Sequence, residues 1–480
     1  MSQARFASCV PLPIEHKNLV NVIEKAKDWA LMHGVAMRDR NHFSKDVIQV
    51  APFVLLPSPF PRAEFEKAVE LQPVLNELMH KVAHNNEFLE QTLQNALQVD
   101  EFTKSLYDIW VTIRNEGVTQ SLSLGLFRSD YLMHAEDKNK IKQVEFNTVA
   151  SSFGAITSYL PTMSRYILRQ LGHPDLLKNM PENKALSGLC AGITDAYDLF
   201  GVPNAIVLFV VEEVSYNICD QRFHEFEIAE KRPDVMIHRK TLNEIYEETI
   251  INDKKQLILD GNPVAVVYYR SGYEPAQYPS QREWDARLRV ERSTAIKCPS
   301  IHYQLAGTKK VQQALAAPGV LETFMGSGTT TSRVRDIFTG LYSLDFDESG
   351  ERAVEMGLKD AEKYVLKPQR EGGGNNVYGA DIREALQRMR HSRERSAYIL
   401  MERIVPPLVP GYVIRPGATI PPPVVDLVSE LGIFGVIIGT KEKVYHNRQV
   451  GHMLRTKLAD ANEGGVAAGL GALDSPYLVD

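Results

Sequence analysis

Lys367-Pro368-Gln369-Arg370-Glu371-Gly372-Gly373-Gly374-Asn375-Asn376 continues the short apolar run that begins at Tyr364. A strand that ends in a charged, glycine-rich loop delivers that loop to a ligand. Three consecutive glycines let backbone approach a bound group closely, and successive N–H groups in such a loop form an anion nest. Lys367 supplies a point charge for phosphate, and Glu371 offers oxygen ligands suited to Mg²⁺. A surface loop with solvated charges would carry the same glycine triplet. The Lys, Arg, Glu and two Asn packed around it favour the ligand loop.

Toward the C-terminus the texture stays strand-rich. Ala397–Glu402, Val424–Ser429 and Lys443–His446 join Tyr364–Lys367 as strand-like runs, which predicts antiparallel sheets clasping a ligand. The tail Glu463–Gly471 is small and apolar. It reads either as a loop that closes over a small substrate or as a flexible connector.

In the other direction, Gly326-Ser327-Gly328-Thr329-Thr330-Thr331 lacks the lysine of a P-loop and reads as a loop tip. Ala205–Val211, Val235–His238 and Val264–Tyr269 are apolar runs separated by charged amphipathic segments. That is the pattern of βαβ units, and it predicts an inserted α/β domain over about 202–300. Ser121–Phe127 and Ile141–Phe146 have strand character, the second closing on Glu145-Phe146-Asn147-Thr148. Glu145 and Asn147 project from one strand face. As oxygen donors they could hold Mg²⁺ or simply cap a turn, and spacing alone does not decide. Before them, Leu19, Ile23, Ala26 and Ala30 recur at helical spacing ahead of Gly34. A proline-rich turn at Pro57–Pro61 precedes further amphipathic helices over Ala63–Asp108, so the N-terminal quarter reads as helical scaffold.

Composition bounds the function. The 480 residues correspond to roughly three structural units at about 150 residues each, and 44% hydrophobic with 24% charged residues is an ordinary globular composition. A net charge of −6 argues against nucleic acid as a partner. Cys9, Cys190, Cys219 and Cys298 form no CxxC pair and no zinc spacing. Cys219, although near Asp220 and His224, reads as a buried or half-buried thiol rather than a nucleophile. The Met1–Lys17 stretch is broken by prolines and lacks the apolar run of a signal peptide. No apolar run approaches the ~20 residues of a membrane helix. A cytoplasmic protein with no membrane partner is expected. Arg128, Arg270 and Arg455 each sit in polar or Gly/Ser context where a guanidinium could grip a carboxylate bidentately, although each could equally be a surface ion pair.

Leu124–Tyr131, Glu145–Thr148, Gln304–Gln313, Lys367–Asn376, Ser429–Gly435 and Val450–Lys457 together resemble the eukaryotic glutathione synthetase family, in order and over about Asn18–Val479. The resemblance implies an α/β (α+β) ATP-grasp fold with a helical N-terminal region and an inserted α/β substrate-binding domain. It divides the chain into 1–201, 202–304 and 305–480. It implies a homodimeric, ATP-dependent carbon–nitrogen ligase that condenses γ-glutamylcysteine with glycine through an acyl phosphate. Glu145, Asn147 and Glu371 would hold two Mg²⁺ ions, and Lys309 and Lys367 would contact the ATP phosphates. Gly372, Gly373, Gly374, Asn376, Tyr378, Met401, Glu402, Arg403, Ile404, Glu430, Lys457 and Glu463 would line the nucleotide site. Arg128, Val149, Ala150, Ser151, Ser152, Ser215, Tyr216, Asn217, Gln221, Arg270, Ser271, Gly272 and Tyr273 would bind γ-glutamylcysteine. Arg455, Val466 and Ala467 would close the pocket over glycine, with Arg128, Lys367 and Arg455 acting in catalysis. Ala150, Ser271, Arg403 and Glu463 depart from the residues usual in the family. The alternatives are the same chemistry with another amine, and a non-catalytic nucleotide-binding scaffold. All four of Glu145, Asn147, Lys367 and Glu371 are present, against the scaffold reading.

Overall fold

The computed structural model describes residues 4–371, 373–466 and 471–480. Its helical first quarter follows from apolar spacing. The helix His16–Met32 buries Leu19, Val22, Ile23, Ala26 and Ala30, and Gly34 at φ +69° turns the chain just beyond it. The helices Arg62–Ala83, Asn86–Leu93 and Glu101–Glu116 follow. Pro57–Pro61 is not a turn. Ser58–Pro61 is a strand paired in parallel with Pro476–Val479. This strand makes a two-stranded sheet, and prolines are tolerated at such an edge because their missing N–H faces away from the ladder.

The main sheet, among the described residues, runs Val413–Ile414, Phe53–Val54, Gly471–Asp474, Val444–Leu458, Val425–Gly439, Ser123–His134, Lys140–Asn147. Val409–Gly411 pairs separately with Val425–Gly439. All the pairings are antiparallel except that of Gly471–Asp474 with Phe53–Val54. The Val425–Gly439 and Val444–Leu458 strands extend well past the runs visible in sequence. Gly432 and Gly435 interrupt the first, and both are sites of close approach. A Cβ on Gly432 would lie 2.8 Å from Arg128 Cδ, and one on Gly435 would lie 2.3 Å from Asn76 Oδ1.

A second antiparallel sheet orders Leu341–Ser343, Tyr398–Glu402, Tyr364–Pro368 and Val377–Tyr378. It carries the glycine-rich loop. Between 202 and 300 the apolar runs form a parallel array, with Ile206–Val210 flanked by Met236–Lys240 and Asn262–Tyr269, and Ile296–Cys298 on the far side of the latter. Leu257–Leu259 and Thr249–Ile251 add an antiparallel edge. Its strands alternate faces. Val207 and Phe209 share an apolar cluster with Leu126 and Val436, whereas Ile206, Leu208 and Val210 share another with Phe127 and Ile433.

The Gly326–Thr331 segment is only half a loop. Gly326–Gly328 separates the helices Val320–Met325 and Thr329–Ile337, and buried Thr331 donates its hydroxyl to the Gly326 carbonyl at 2.7 Å.

Candidate active site

Cross-strand register assembles the floor of the site. Arg128 is opposite Asn147 and Asp130 is opposite Glu145. Gly432 is opposite Asp130, and Glu430 is opposite Arg455. Directly paired residues share a face of the sheet, so these polar side chains converge. Arg128 donates Nε to Asp130 Oδ1 at 2.6 Å and Nη2 to Oδ2 at 2.8 Å. Its Nη1 donates to the Ser152 carbonyl at 3.2 Å. Arg455 is ion-paired with Glu430 and lies 3.4 Å from Asp130 and 3.9 Å from Glu145.

A helix and the second sheet supply the facing charges. Lys309, at the start of the helix Lys309–Ala316, places Nζ 3.1 Å from Glu145 Oε2 and 3.0 Å from Glu371 Oε1. Lys367 donates to the Val144 carbonyl at 2.9 Å. Burial opposes ionisation of Glu145, yet Lys309, Lys367, Arg455 and Arg128 together hold its carboxyl well below the usual carboxylate range. Glu371 is pushed up by burial, with the Glu145 charge adding to the rise. Burial also lowers Lys367, and it raises Glu430 beside Asp130 and Glu145. Two converging carboxylates of unequal proton affinity in a desolvated pocket form a site for added positive charge.

The residues present fit a divalent cation. Among the described residues no group of three or more His, Cys, Asp or Glu is arranged around a metal position. Mg²⁺, however, takes one or two carboxylates and completes its shell with water and phosphate oxygens. Glu145 and Glu371 already meet on a cation, the Lys309 ammonium. Asn147 donates Nδ2 to Asp130 Oδ2 at 3.0 Å and to the Arg128 carbonyl at 3.3 Å, which leaves its amide oxygen as the group to offer a ligand.

These residues open onto a cavity of about 490 Å³ between the two antiparallel sheets. Arg128, Glu145, Asn147, Lys367, Glu371 and Arg455 line it. So do Gly373, Asn376, Tyr378, Met401–Ile404, Glu430, Lys457 and Glu463, together with Val149–Ser152, Tyr273 and Val466. Beside Met401–Ile404 the cavity is apolar at Val365, Val428, Leu132 and Val405, none of which stands out in sequence. Glu402 turns its carboxylate away, onto the Tyr342 hydroxyl at 2.8 Å and the Gly340 N–H at 3.1 Å. Its own N–H donates to the Gly340 carbonyl at 2.8 Å. Glu463 accepts from the Asn376 N–H at 3.1 Å and from the Gly374 N–H, joining the two loops that flank the mouth.

Not every anticipated residue meets the cavity. Lys309 stands behind Glu145 and Glu371, and Gly374 lies outside the lining. Ser215, Tyr216, Asn217, Gln221, Arg270, Ser271 and Gly272 are also set back from it. Gln221 instead holds Arg239 at 2.7 Å, and the Gly272 carbonyl accepts from Gln304 at 2.9 Å. Arg270 reaches the cavity wall indirectly, donating Nη2 to Ser152 Oγ at 3.0 Å and to Asp220 Oδ2 at 3.1 Å. Its Nε and Nη1, with Ser151 Oγ and Asn217 Oδ1, are buried without hydrogen-bond partners. Buried polar atoms left open in this way are available to a ligand. Gly372 and Ala467 lie outside the described residues.

Two site residues carry no role in the sequence reading. Asp130 sits between Arg128 and Tyr131 in a quoted motif, and the two-residue strand alternation from Arg128 was its signal. Asp220 gives none. Fully buried, it accepts from the Phe153 and Ala155 N–H groups, both at 2.9 Å. It thereby pins the 150–156 turn, in which Ala150 and Phe153 have φ of 49° and 72°. Cys219, its neighbour, is half-buried, and burial raises its thiol, which suits no nucleophile.

A family model described as eukaryotic glutathione synthase, ATP binding domain, matches residues 16–478. The glutathione synthetase of Homo sapiens is 43% identical over 469 residues, covering 97% of this chain and 98% of that protein. The chloroplastic glutathione synthetase of Arabidopsis thaliana is 38% identical, covering 94% of this chain and 84% of its own length. Among solved structures, a glutathione synthetase-like effector from Globodera pallida in its apo form superimposes with a TM-score of 0.79. It is 26% identical and covers 98% of this chain and 100% of the other.

Proposed function

The chain belongs to the eukaryotic glutathione synthases, a family of ATP-dependent ligases, and we propose that it condenses γ-glutamylcysteine with glycine, releasing ADP and phosphate. The observation that carries the proposal is the buried Glu145–Lys309–Glu371 bridge, set beside Lys367 in the cavity between two antiparallel sheets. The carboxylate of γ-glutamylcysteine attacks the γ-phosphorus of ATP, and ADP leaves. The glycine amine then attacks the acyl carbon, loses a proton, and phosphate departs.

The chain's own contribution is placement and electrostatics. Lys309 and Lys367 neutralise charge that spreads over the transferring phosphoryl oxygens. Arg128 and Arg455 hold substrate carboxylates, each having N–H groups beyond those committed to Asp130 and Glu430. Glu145, Asn147 and Glu371 would hold two Mg²⁺ ions, which supply charge neutralisation along the triphosphate when bound. The Met401–Ile404 backbone and the apolar Val365, Val428 and Leu132 suit a purine. The loop at Glu463–Val466 excludes water from an acyl phosphate that water would destroy.

The same reading makes the fold ATP-grasp, with units at 1–201, 202–304 and 305–480, and the enzyme a cytoplasmic homodimer. Among the described residues no helix is long and apolar enough to cross a membrane. The test is ADP release with ATP, Mg²⁺ and γ-glutamylcysteine, with and without glycine, and the product identified by mass. Glycine-dependent formation of the tripeptide is the expected result. ADP release indifferent to glycine points to another amine, and absence of turnover to a scaffold.

A further inference from the structure

Asp130 is 1% exposed and stands at the centre of the polar floor. A buried carboxylate is costly unless its oxygens are fully engaged, and those of Asp130 are engaged entirely by site residues. Oδ1 takes the Arg128 Nε–H at 2.6 Å. Oδ2 takes the Arg128 Nη2–H at 2.8 Å, the Asn147 amide at 3.0 Å and the Arg455 Nη2–H at 3.4 Å. Among the described residues no other side chain in the site hydrogen-bonds both arginines and the asparagine. Space around it is restricted as well: a Cβ on Gly432, its cross-strand partner, would lie 2.8 Å from Asp130 Oδ1 and from Arg128 Cδ.

We propose that Asp130 is a positioning residue that fixes Arg128 and Arg455 as one two-pronged receptor for the carboxylate-bearing substrates, and so governs their affinity rather than that of ATP. The inference rests on the ligase reading given above. A bidentate carboxylate locks a guanidinium in plane. With Nε and one Nη2–H on Asp130 and one Nη1–H on Ser152, Arg128 keeps one N–H on each terminal nitrogen for a substrate oxygen. Without the clamp, Arg128 would lose its preset direction and Arg455, still held by Glu430, would lose its tie to Arg128, so a ligand would have to impose the joint geometry at an entropic cost. Among the described residues the purine end, built from the second sheet and Val428, makes no contact with Asp130; the one link from Asp130 to the proposed metal donors is the Asn147 amide, so ATP-analogue binding is measured without Mg²⁺ as well as with it.

The test is steady-state kinetics of Asp130→Asn beside the unaltered enzyme, varying ATP, γ-glutamylcysteine and glycine separately, with ATP-analogue binding measured on the same preparations. Asparagine keeps the shape and presents an N–H₂ where one guanidinium N–H needs an acceptor. The expected result is a KM for γ-glutamylcysteine raised by about tenfold to a hundredfold, with ATP-analogue affinity within about twofold. In an Arg128→Gln background the same substitution should add less than it does alone. If Asp130→Asn does not fold, Gly432→Ala presses a methyl group against the same pair while keeping both charges, and should give the same split. A folded variant with unchanged γ-glutamylcysteine KM, or with ATP and γ-glutamylcysteine weakened in parallel, overturns the role of Asp130. Absence of turnover by the unaltered enzyme overturns the ligase reading and this inference together.

Discussion

Both carboxylate oxygens of Glu371 accept from the Lys309 ammonium, at 3.0 and 3.1 Å, so the glycine-rich loop is moored at its root by an ion pair. Lys309→Met leaves Glu145 and Glu371 facing each other without a cation. Breaking a buried pair in this way costs about 3–5 kcal/mol. The variant should show a clearly lower thermal midpoint without metal, and Mg²⁺ should recover more of that loss than it adds to the unaltered enzyme. Equal Mg²⁺ responses in the two proteins would remove Glu145 and Glu371 as metal donors.

Glu371→Ala takes away one of two carboxylates and its hold on Lys309. ATP turnover should fall by about a hundredfold or more, read as ADP release at saturating Mg²⁺. A rate equal to that of the unaltered enzyme would sink the metal assignment.

Asp220→Ala frees the 150–156 turn and strands Arg270, which is 4% exposed. Backbone at positive φ without its restraint relaxes, and Ser152 moves with it. The γ-glutamylcysteine KM should rise while ATP-analogue binding holds. Stability should fall by about 3 kcal/mol or more, because a buried guanidinium loses its counter-charge. Denaturant titration and single-substrate KM values read the two effects separately.

Acid should unfold the protein through a histidine cluster remote from the cavity. His80 and His84 rings lie 4.3 Å apart, and His84 and His302 4.8 Å. Burial lowers His80 to about 4 and His302 well below its ordinary value, each histidine opposing the charging of the next. Their folded pKa values are depressed. The stability they contribute is therefore fully present above about 6.5 and is lost as pH falls from there toward 4. His302→Asn, which keeps an acceptor for Ser123 and Ser300, should flatten the fall in unfolding free energy, read from urea titration between pH 7 and 5, by up to about 1.4 kcal/mol per pH unit. An unchanged slope would place the acid sensitivity elsewhere.

What the sequence revealed depended on how local the cause was. The strand Ile206–Val210 is buried on both faces, and its unbroken apolar run shows it. The hairpin Val425–Leu458 is legible only in the first residues of each strand, and in the first strand Gly432 and Gly435 look like breakers until Arg128, Asp130 and Asn76 are seen against them. The same holds in the site. Glu145, Asn147 and Glu371 announce themselves by residue type beside a strand end or glycine loop. Asp220 acts on backbone 65 residues away, and no local pattern records such a contact. Ser215, Tyr216, Asn217 and Gln221 illustrate the opposite case. Motif resemblance nominates them, but the structure sets them back from the cavity and leaves Asn217 Oδ1 unpaired.

The pairing of Gly471–Asp474 between Phe53–Val54 and Val444–Leu458 bears on how the molecule is made. The strand that carries Arg455 gains its second neighbour only from residues synthesised later, and the Ser58–Pro61 edge waits for Pro476–Val479. Until those residues have emerged, the sheet floor has a gap. The nascent chain then exposes an unpaired edge of the kind that recruits other chains. The floor is thus completed only by residues 471–479, and a product cut short before 471 should meet the cell's chaperones and proteases as waste rather than as a weaker catalyst.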